Sequence, residues 1–293
     1  MNPPTELRSL ELITRLKRAP SEHKGNAGKV LLIGGAPGMA GALMLSGSAA
    51  LHLGAGWTIL EMLDPTAAHA MPKQAELMVR LASFNAQEQL EATAPDVIAI
   101  GPGLGFSVLA RDWLIASLRY PKVPLVIDAD ALNLIADTPE YLDLLKERNQ
   151  ALPGMSILTP HPGEAAHLLN TTASDIQANR LGALSDLVRL TNSIVVLKGQ
   201  HTLIASPTHL AVQCAEGNPG MAVGGMGDVL TGTIAAIAAQ GLHHNLNLWE
   251  AGCIGVQLHA SAADSLVAKD IGPIGLTPSE VILEMRSLLN KLL

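Results

Sequence analysis

The sequence predicts an α/β protein with a mostly parallel sheet that helices cover on both faces. Six short apolar runs recur along the 293 residues, and each ends in Gly, Pro or Asp. These runs are continuous rather than alternating, which is typical of strands buried on both faces. Longer segments rich in Ala and Leu at helical spacing lie between them, and this alternation indicates a parallel sheet. Hydrophobic residues make up 48% of the chain and charged residues 15%, so a large buried core is expected.

The predicted elements follow one another without a linker, a charge run or a long internal repeat. The predicted strands are residues 30–35, 57–63, 96–103, 124–130, 155–160 and 193–199. The predicted helices are residues 41–53, 107–119, 139–148, 163–169, 175–191, 228–240, 248–268 and 278–292. Residues 201–214 alternate and contain a turn, which predicts a hairpin at the sheet edge. We expect one domain over residues 1–293, with residues 1–24 as a helical lead-in.

Charge and composition exclude several classes of protein. The net charge of −7 and the presence of only two Phe, two Tyr and three Trp argue against a general nucleic-acid or anionic-membrane binder. The N-terminus lacks an apolar signal-peptide core. Residues 40–60 carry no charge, but four glycines, two serines and His52 make them a poor membrane span. Cys214 and Cys253 are isolated, which suits a reducing compartment, and we expect a cytoplasmic protein.

The most informative stretch is residues 217–232, GNPGMAVGGMGDVLTG. Glycine-dense backbone can turn its N–H groups inward around an anion, and the start of the helix that follows adds further donors. Asp228 would be repelled by such an anion unless it had work to do. Its expected work is to take a proton from a hydroxyl that meets a phosphoryl group. The alternative is that Asp228 caps the helix, and the local string leaves both interpretations open.

Two other glycine clusters follow predicted strands. Gly34, Gly35, Gly38 and Gly41 resemble a dinucleotide-binding turn, but their spacing does not give G-x-G-x-x-G. Residues 101–105, GPGLG, would allow a ligand to approach the backbone closely. A structural turn explains the first cluster equally well and the second nearly as well.

Charged and titratable residues stand at three further strand ends. His161 lies between two prolines that would orient it, or it is simply exposed on a rigid turn. Glu164 is either an acid favoured by a helix dipole or a group that helps hold a hydrated Mg²⁺. Lys198 follows a buried strand, so it either meets a phosphate or reaches solvent.

Asp128 and Asp130 end another strand and either organise a cleft or cap a helix, and both interpretations stay open. In open α/β sheets ligands bind beyond the carboxyl ends of the strands. The residues at these strand ends should therefore converge on one cleft.

Six strings, taken together and in order, resemble the ADP-dependent NAD(P)H-hydrate dehydratases, a repair family related to the ribokinase-like kinases. They are HKGNAGKVLLIGG, GPGLG, VIDADALN, ILTPHPGE, VVLKGQHT and GNPGMAVGGMGDVLTG. The resemblance runs from about His23 to near the C-terminus, and the last string is the most specific. It implies a ribokinase-like three-layer α/β/α fold without a lid domain. It also implies ADP or ATP as phosphoryl donor, with Mg²⁺.

The same resemblance implies the reaction. The substrate would be the S form of NADH or NADPH hydrated at C6 of the nicotinamide ring. Phosphorylation of the C6 hydroxyl would let phosphate leave, pushed by the ring nitrogen, and the dihydronicotinamide would be restored. With ADP as donor the by-products would be AMP and phosphate.

The resemblance also assigns residues by position. The substrate site would contain Ala42, Gly105, His161 and Asp228, with Asp228 as the base. The adenine nucleotide would lie against Lys198, Gly199, Gln200, His201, Thr202 and Gly227. His161 replaces the Asn of the N-x-x-E magnesium motif of related kinases, so the metal ligands stay unassigned. Met226 stands where many relatives have Thr, so backbone N–H groups must suffice there.

The family also implies partners. A homo-oligomer, as a tetramer, is expected. Because only about twenty residues precede the match, the epimerase activity that many relatives carry is expected on another chain. Three alternatives remain: a hydroxyethylthiazole or pyridoxal type of small-molecule kinase, an NAD-dependent oxidoreductase using residues 34–41 and Glu61, and a non-catalytic nucleotide-binding module.

Overall fold

The computed structural model describes residues 3–70 and 74–293, which contain one ten-stranded sheet. In chain order the strands are β1 (Thr5–Glu6), β2 (Lys29–Gly34), β3 (Trp57–Met62), β4 (Met78–Leu81), β5 (Val97–Ile100), β6 (Leu125–Ile127), β7 (Ser156–Leu158), β8 (Ile194–Leu197), β9 (Leu203–Ser206) and β10 (His209–Gln213). Their spatial order is β1-β10-β9-β8-β7-β6-β5-β2-β3-β4. Strands β2 to β8 are parallel to one another, and β9 and β10 form an antiparallel hairpin beside β8.

Helices cover both faces of this sheet. They are α1 (Ala40–His52), α2 (Pro65–Ala68), α3 (Ala86–Thr93), α4 (Val108–Arg119), α5 (Ala129–Asp137), α6 (Pro139–Ala151), α7 (Pro162–Leu168), α8 (Ala173–Ala178), α9 (Arg180–Thr191), α10 (Met226–His244), α11 (Leu248–Val267) and α12 (Pro278–Leu292). One buried cluster joins the sheet to α1, α10, α11 and α12, and a second joins its other face to α3 through α9. The predicted three-layer α/β/α class is therefore confirmed. No helix in the described part of the chain is long and apolar enough to cross a membrane.

The six predicted strands, the edge hairpin and most predicted helices are present. The predicted helix over 175–191 is wrong in one respect, because Asn179 ends α8 and its side chain accepts a hydrogen bond from Gly182 N that caps α9. The predicted helical lead-in holds the strand β1 and a 3-10 helix over Leu10–Leu16. Strand β1 is two residues long and β4 is half exposed, so neither gives the continuous apolar run by which a buried strand is predicted.

The order of the strands reverses at β2, which lies between β3 and β5. The loops that follow β2 and β5 contact each other there, because Gly35 N donates to Pro102 O at 3.0 Å and Ala36 N donates to Gly103 O at 2.6 Å. A Cβ atom on Gly34 would lie only 2.0 Å from Pro102 O. Close packing between the two loops therefore accounts for Gly34, and a ligand cleft is expected at this switch point.

Helix α10 is buried along most of its 19 residues. A Cβ atom on Gly232 would lie 2.0 Å from Ser46 O of α1, so the two helices cross at backbone contact distance. Ser46 Oγ also donates to Asp228 O at 2.7 Å. These contacts fix the first turns of α10 relative to α1.

Candidate active site

The start of α10 presents unused backbone donors beside a carboxyl group. Gly225 precedes the helix at φ 98°, and no side chain caps it. The N–H groups of Gly227 and Asp228 find no hydrogen-bond acceptor among the described residues. Such free N–H groups at a helix start attract an anion. The interpretation of Asp228 as an N-cap is wrong, since Asp228 is the third residue of the helix.

The Asp228 carboxyl binds its proton more tightly than an ordinary aspartate. Burial, followed by the negative charges of Asp128 and Asp130, raises the pKa of Asp228, the positive charge of Lys198 lowers it, and the net pKa is about 6. A carboxyl with a pKa near neutrality is suited to accept a proton at physiological pH.

Lys198 lies immediately after β8, and its side chain is only 17% exposed. Its ammonium Nζ donates to Asp128 Oδ1 at 2.7 Å and lies 3.8 Å from Glu164 Oε2. Burial lowers the pKa of Lys198, but these two carboxylates outweigh that effect and the net direction is upward. A Cβ atom on Gly227 would lie 3.2 Å from this ammonium. The ammonium therefore lies against the first turn of α10, beside the free N–H groups.

Neither aspartate after β6 caps a helix with its side chain. Asp128 precedes α5, makes no capping hydrogen bond and is 1% exposed. Its second oxygen, Oδ2, accepts from Thr231 Oγ1 of α10 at 2.7 Å. Asp130 Oδ2 accepts from Gly105 N at 2.8 Å and so holds the loop after β5. Asp128 and Asp130 therefore hold neighbouring elements together rather than capping a helix with their side chains.

His161 and Glu164 hold each other at the start of α7. His161 Nδ1 accepts from Gly163 N at 3.0 Å and Glu164 N at 3.2 Å, while Glu164 Oε2 accepts from His161 N at 2.7 Å. Because Nδ1 is an acceptor, the neutral ring carries its hydrogen on Nε2, which lies 3.2 Å from Glu164 Oε1. Burial raises the pKa of Glu164 to about 7 against the opposing charge of Lys198. Burial, followed by Lys198, lowers the pKa of His161.

The residues do not fit a metal held by Glu164. One of its oxygens accepts from His161 N, and the other faces the His161 ring. Across residues 3–70 and 74–293, no three His, Cys, Asp or Glu side chains are arranged to hold a metal ion. A divalent cation at this site would have to depend on a ligand other than these side chains for most of its coordination.

The turn between β8 and β9 contains residues 198–202. Gly199 has φ 132°, and a Cβ atom there would lie 2.8 Å from Arg180 Nη1. The Arg180 guanidinium donates to Lys198 O at 3.2 Å and to Leu197 O at 3.0 Å. Thr202 Oγ1 donates back to Gly199 O at 3.1 Å. Sequence reasoning missed Arg180 because nothing around it in the chain signals a contact with a strand end seventeen residues away.

The structure brings some of the predicted site residues into contact and leaves others apart. Lys198, Gly227 and Asp228 come together through the contacts described above. Ala42 lies half-buried on α1, 3.3 Å from the position that a Cβ would take on Gly103. Gln200 and His201 are exposed on the β8–β9 turn, with no side-chain contact that ties them to the other predicted residues.

Glu61 has a structural role. It is fully buried, pairs with Arg80 and accepts from Gln89 Nε2 at 2.7 Å. Its carboxylate is therefore engaged with protein groups and unavailable to a dinucleotide ribose. Glu61 and Gly34, two of the residues on which the oxidoreductase alternative depended, therefore have structural roles.

The sequence comparisons and the structure comparisons with known proteins point to the same family. A family model described as NAD(P)H-hydrate dehydratase matches residues 30–285. The ADP-dependent (S)-NAD(P)H-hydrate dehydratase of Neisseria meningitidis is 36% identical over 279 residues, which cover 94% of this chain and 89% of that protein. Bifunctional NAD(P)H-hydrate repair enzymes also match, and the chain spans about half their length, 50% to 53%.

Two solved structures share the fold along the whole chain. The ADP/ATP-dependent NAD(P)H-hydrate dehydratase of Bacillus subtilis, co-crystallised with ATP and Mg²⁺, superposes with a TM-score of 0.80 at 26% identity and covers 100% of both chains. A ribokinase-like superfamily protein of Enterococcus faecalis superposes with a TM-score of 0.75 at 27% identity, covering 98% of this chain and 96% of that one.

Proposed function

The chain belongs to the NAD(P)H-hydrate dehydratase family, and on that premise we propose that it dehydrates the S form of hydrated NADH or NADPH at the expense of ADP. The observation that carries this proposal is the start of α10. Two free backbone N–H groups and the Lys198 ammonium there adjoin the Asp228 carboxyl, whose pKa is raised to about 6. An anion site beside a base is what phosphoryl transfer to a hydroxyl requires.

The adenine nucleotide lies against residues 198–202 and places its transferable phosphate at Gly227. The free N–H groups of Gly227 and Asp228 donate to the phosphate oxygens, and the Lys198 ammonium supplies positive charge below them. Gly227 has no side chain between the phosphate and the ammonium, which supports this placement.

Asp228 accepts the proton of the C6 hydroxyl as that oxygen attacks the terminal phosphorus of ADP. The new O–P bond forms while the bond from that phosphorus to the bridging oxygen breaks, and AMP leaves with the electron pair. The C6–O bond then breaks with expulsion of phosphate, pushed by the lone pair of the ring nitrogen. Loss of a proton from C5 restores the dihydronicotinamide.

The substrate ring lies between α1 and the loops after β5 and β7, against Ala42, Gly105, His161 and Asp228. His161 is fixed in one tautomer by the backbone N–H groups of α7, so its ring presents a constant surface to the substrate. Mg²⁺ would be held mainly by the nucleotide, since Glu164 is engaged by His161. When bound, it would screen the charge of the phosphates.

The proposal extends to partners and compartment. An epimerase activity that supplies the S form works with this chain, in line with relatives named bifunctional that are about twice as long. A homotetramer and a cytoplasmic location are also proposed. The free thiols of Cys214 and Cys253, both buried, are consistent with a reducing compartment.

The decisive experiment supplies purified hydrated NADH with ADP or with ATP. We expect the absorbance of the dihydronicotinamide to return and one phosphate to be released for each molecule restored, with no reaction when the nucleotide is omitted. Asp228→Asn should lower turnover by several orders of magnitude and leave nucleotide binding largely intact, because it removes only the proton acceptor. A stable phosphorylated product without phosphate release would identify a small-molecule kinase instead.

A further inference from the structure

Asp128 joins three separate elements next to the proposed phosphate site. It directly follows β6, its Oδ1 accepts from Lys198 Nζ after β8, and its Oδ2 accepts from Thr231 Oγ1 on α10, both at 2.7 Å. The side chain is 1% exposed, and Thr231 is fully buried. Both carboxylate oxygens are thus used to hold other side chains, and water reaches neither freely.

The Asp128 side chain lies close to the first turn of α10. A Cβ atom on Gly227 would lie 3.7 Å from Asp128 Oδ2 and 3.2 Å from Lys198 Nζ. Thr231 follows Asp228 by three residues and therefore lies on the same side of α10 as Asp228. The carboxylate of Asp128 consequently acts on both the ammonium and the base of the site.

We propose that Asp128 is a positioning residue that holds the Lys198 ammonium against Gly227 and places its own negative charge beside Asp228. This inference rests on the proposed function, in which Asp228 takes the proton of the substrate hydroxyl. Asp128 itself touches neither substrate nor nucleotide. It acts through Lys198 and Asp228, which do. Its hydrogen bond with Thr231 fixes its position relative to α10, which carries Asp228.

The charges around Asp228 give the sign of the effect. Burial is the largest cause of the raised pKa of Asp228. Asp128 and Asp130 also raise this pKa, and Lys198 lowers it. Lys198 faces Asp128, Glu164 and Asp228. Removal of the Asp128 charge should therefore make Asp228 a weaker base. It should also remove one of the negative charges that raise the pKa of Lys198 against the effect of burial, so that pKa should fall.

The first test measures Lys198 without turnover. Acetic anhydride at pH 8 acetylates neutral amines, and mass spectrometry of the peptides gives the labelling rate of each lysine, with exposed Lys17 and Lys122 as internal references. Asp128→Asn should increase the labelling of Lys198 at least about threefold relative to the references, because more of the amine is neutral and unpaired. Unchanged labelling would overturn the inference, whatever the enzyme turns over.

The second test measures kcat against pH with hydrated NADH and ADP. Asp128→Asn should lower kcat by roughly 10²-fold, since the misplaced ammonium spoils the geometry of transfer. It should also move the acid limb of the profile to lower pH by on the order of one unit. A fall in kcat with the acid limb unmoved would show a merely structural role for Asp128 and overturn the inference.

Further variants separate positioning from folding. Thr231→Val removes one hydrogen bond and keeps the charge of Asp128, so it should lower kcat a few-fold and leave the acid limb in place. Thr231→Ser keeps the hydrogen-bond donor and serves as the control.

In the Lys198→Met protein, Asp128→Asn should lower kcat by less than about threefold in addition to the effect of the weakened base Asp228. The measurement is made above pH 8, where Asp228 is ionised. Multiplicative effects there would overturn the role of Asp128 through Lys198. If the wild-type protein does not restore the dihydronicotinamide, the proposed function fails and the labelling result still decides the inference.

Discussion

Asp228 shows how a single carboxyl acquires a functional pKa from its surroundings. Its backbone is held by Ser46, and its side chain stands near Asp128, Asp130 and Lys198. Burial and like charges favour the protonated acid, and the ammonium favours the carboxylate. The balance places the pKa at about 6, high enough for proton affinity and low enough for ionisation at neutral pH.

This balance predicts the pH dependence of the reaction. We expect kcat/KM to fall as pH decreases through about 6, because Asp228 must be ionised to accept a proton. The measurement is a pH–rate profile with the wild-type protein and hydrated NADH. An acid limb near pH 4 would show that the base is an ordinary, solvated carboxylate.

Because the pKa of Asp228 is raised, the loss of activity expected at low pH comes from protonation of Asp228 and not from unfolding. Because the folded-state pKa of Asp228 is raised from 3.8, its contribution to stability is fully present below that value and is lost as pH rises through about 6. Acidification from pH 7 to pH 5 therefore gains stability from this group. Circular dichroism at pH 5 should show a folded protein whose activity returns at pH 7.

At the scale of elements, the start of α10 works because it lacks side chains where Lys198 reaches it. A Cβ atom on Gly227 would meet only the Lys198 ammonium and Asp128 Oδ2 within 4 Å, whereas one on Gly224 would meet no described neighbour within that distance. The two glycines are three residues apart, and neither has a positive φ. They therefore form a matched pair for substitution.

Gly227→Ala should lower kcat/KM for ADP by about tenfold, because the new methyl group displaces the ammonium by a few tenths of an ångström. Thermal stability should be unchanged or slightly higher, since alanine favours a helix. Gly224→Ala should leave both quantities near their wild-type values. Equal kinetic effects of the two substitutions would contradict the specific contact between Gly227 and Lys198.

At the scale of the whole molecule, the site depends on how closely α10 packs against α1. Gly232 places the backbones of the two helices in contact through Ser46 O, 2.0 Å from where a Cβ would lie. The glycine-rich segment 217–232, which the sequence predicts as an anion-binding turn, therefore also serves packing. The ligand cleft and the buried layer of helices share residues.

Gly232→Ala should destabilise the fold by about 1–3 kcal/mol through overpacking, and it should lower the melting temperature by several degrees. Gly41→Ala on α1 is the control, since a Cβ there would have no described neighbour within 4 Å, and it should be neutral or stabilising by up to about 1 kcal/mol. Calorimetry of both variants measures the difference. A neutral Gly232→Ala would mean that α1 moves freely relative to α10.

The sequence by itself determined the order and type of the main elements. Continuous apolar runs and helical spacing depend only on neighbours along the chain, and so do the glycine-rich string around Asp228 and the family resemblance. Those signals predicted the parallel sheet, the edge hairpin and the strand ends at which the site lies. They failed at β1 and β4, which are short or half exposed and carry no continuous apolar pattern.

Only the tertiary structure showed that neither Asp228 nor Asp128 caps a helix with its side chain. Asp228 and Asp128 both stand near helix starts, where a local pattern cannot separate a cap from a cleft residue. The deciding contacts join residues far apart in the chain: Asp128 with Lys198 across 70 positions, and Asp128 with Thr231 across 103. Burial and charge at such contacts set the pKa values, and both depend on the packed molecule rather than on the chain.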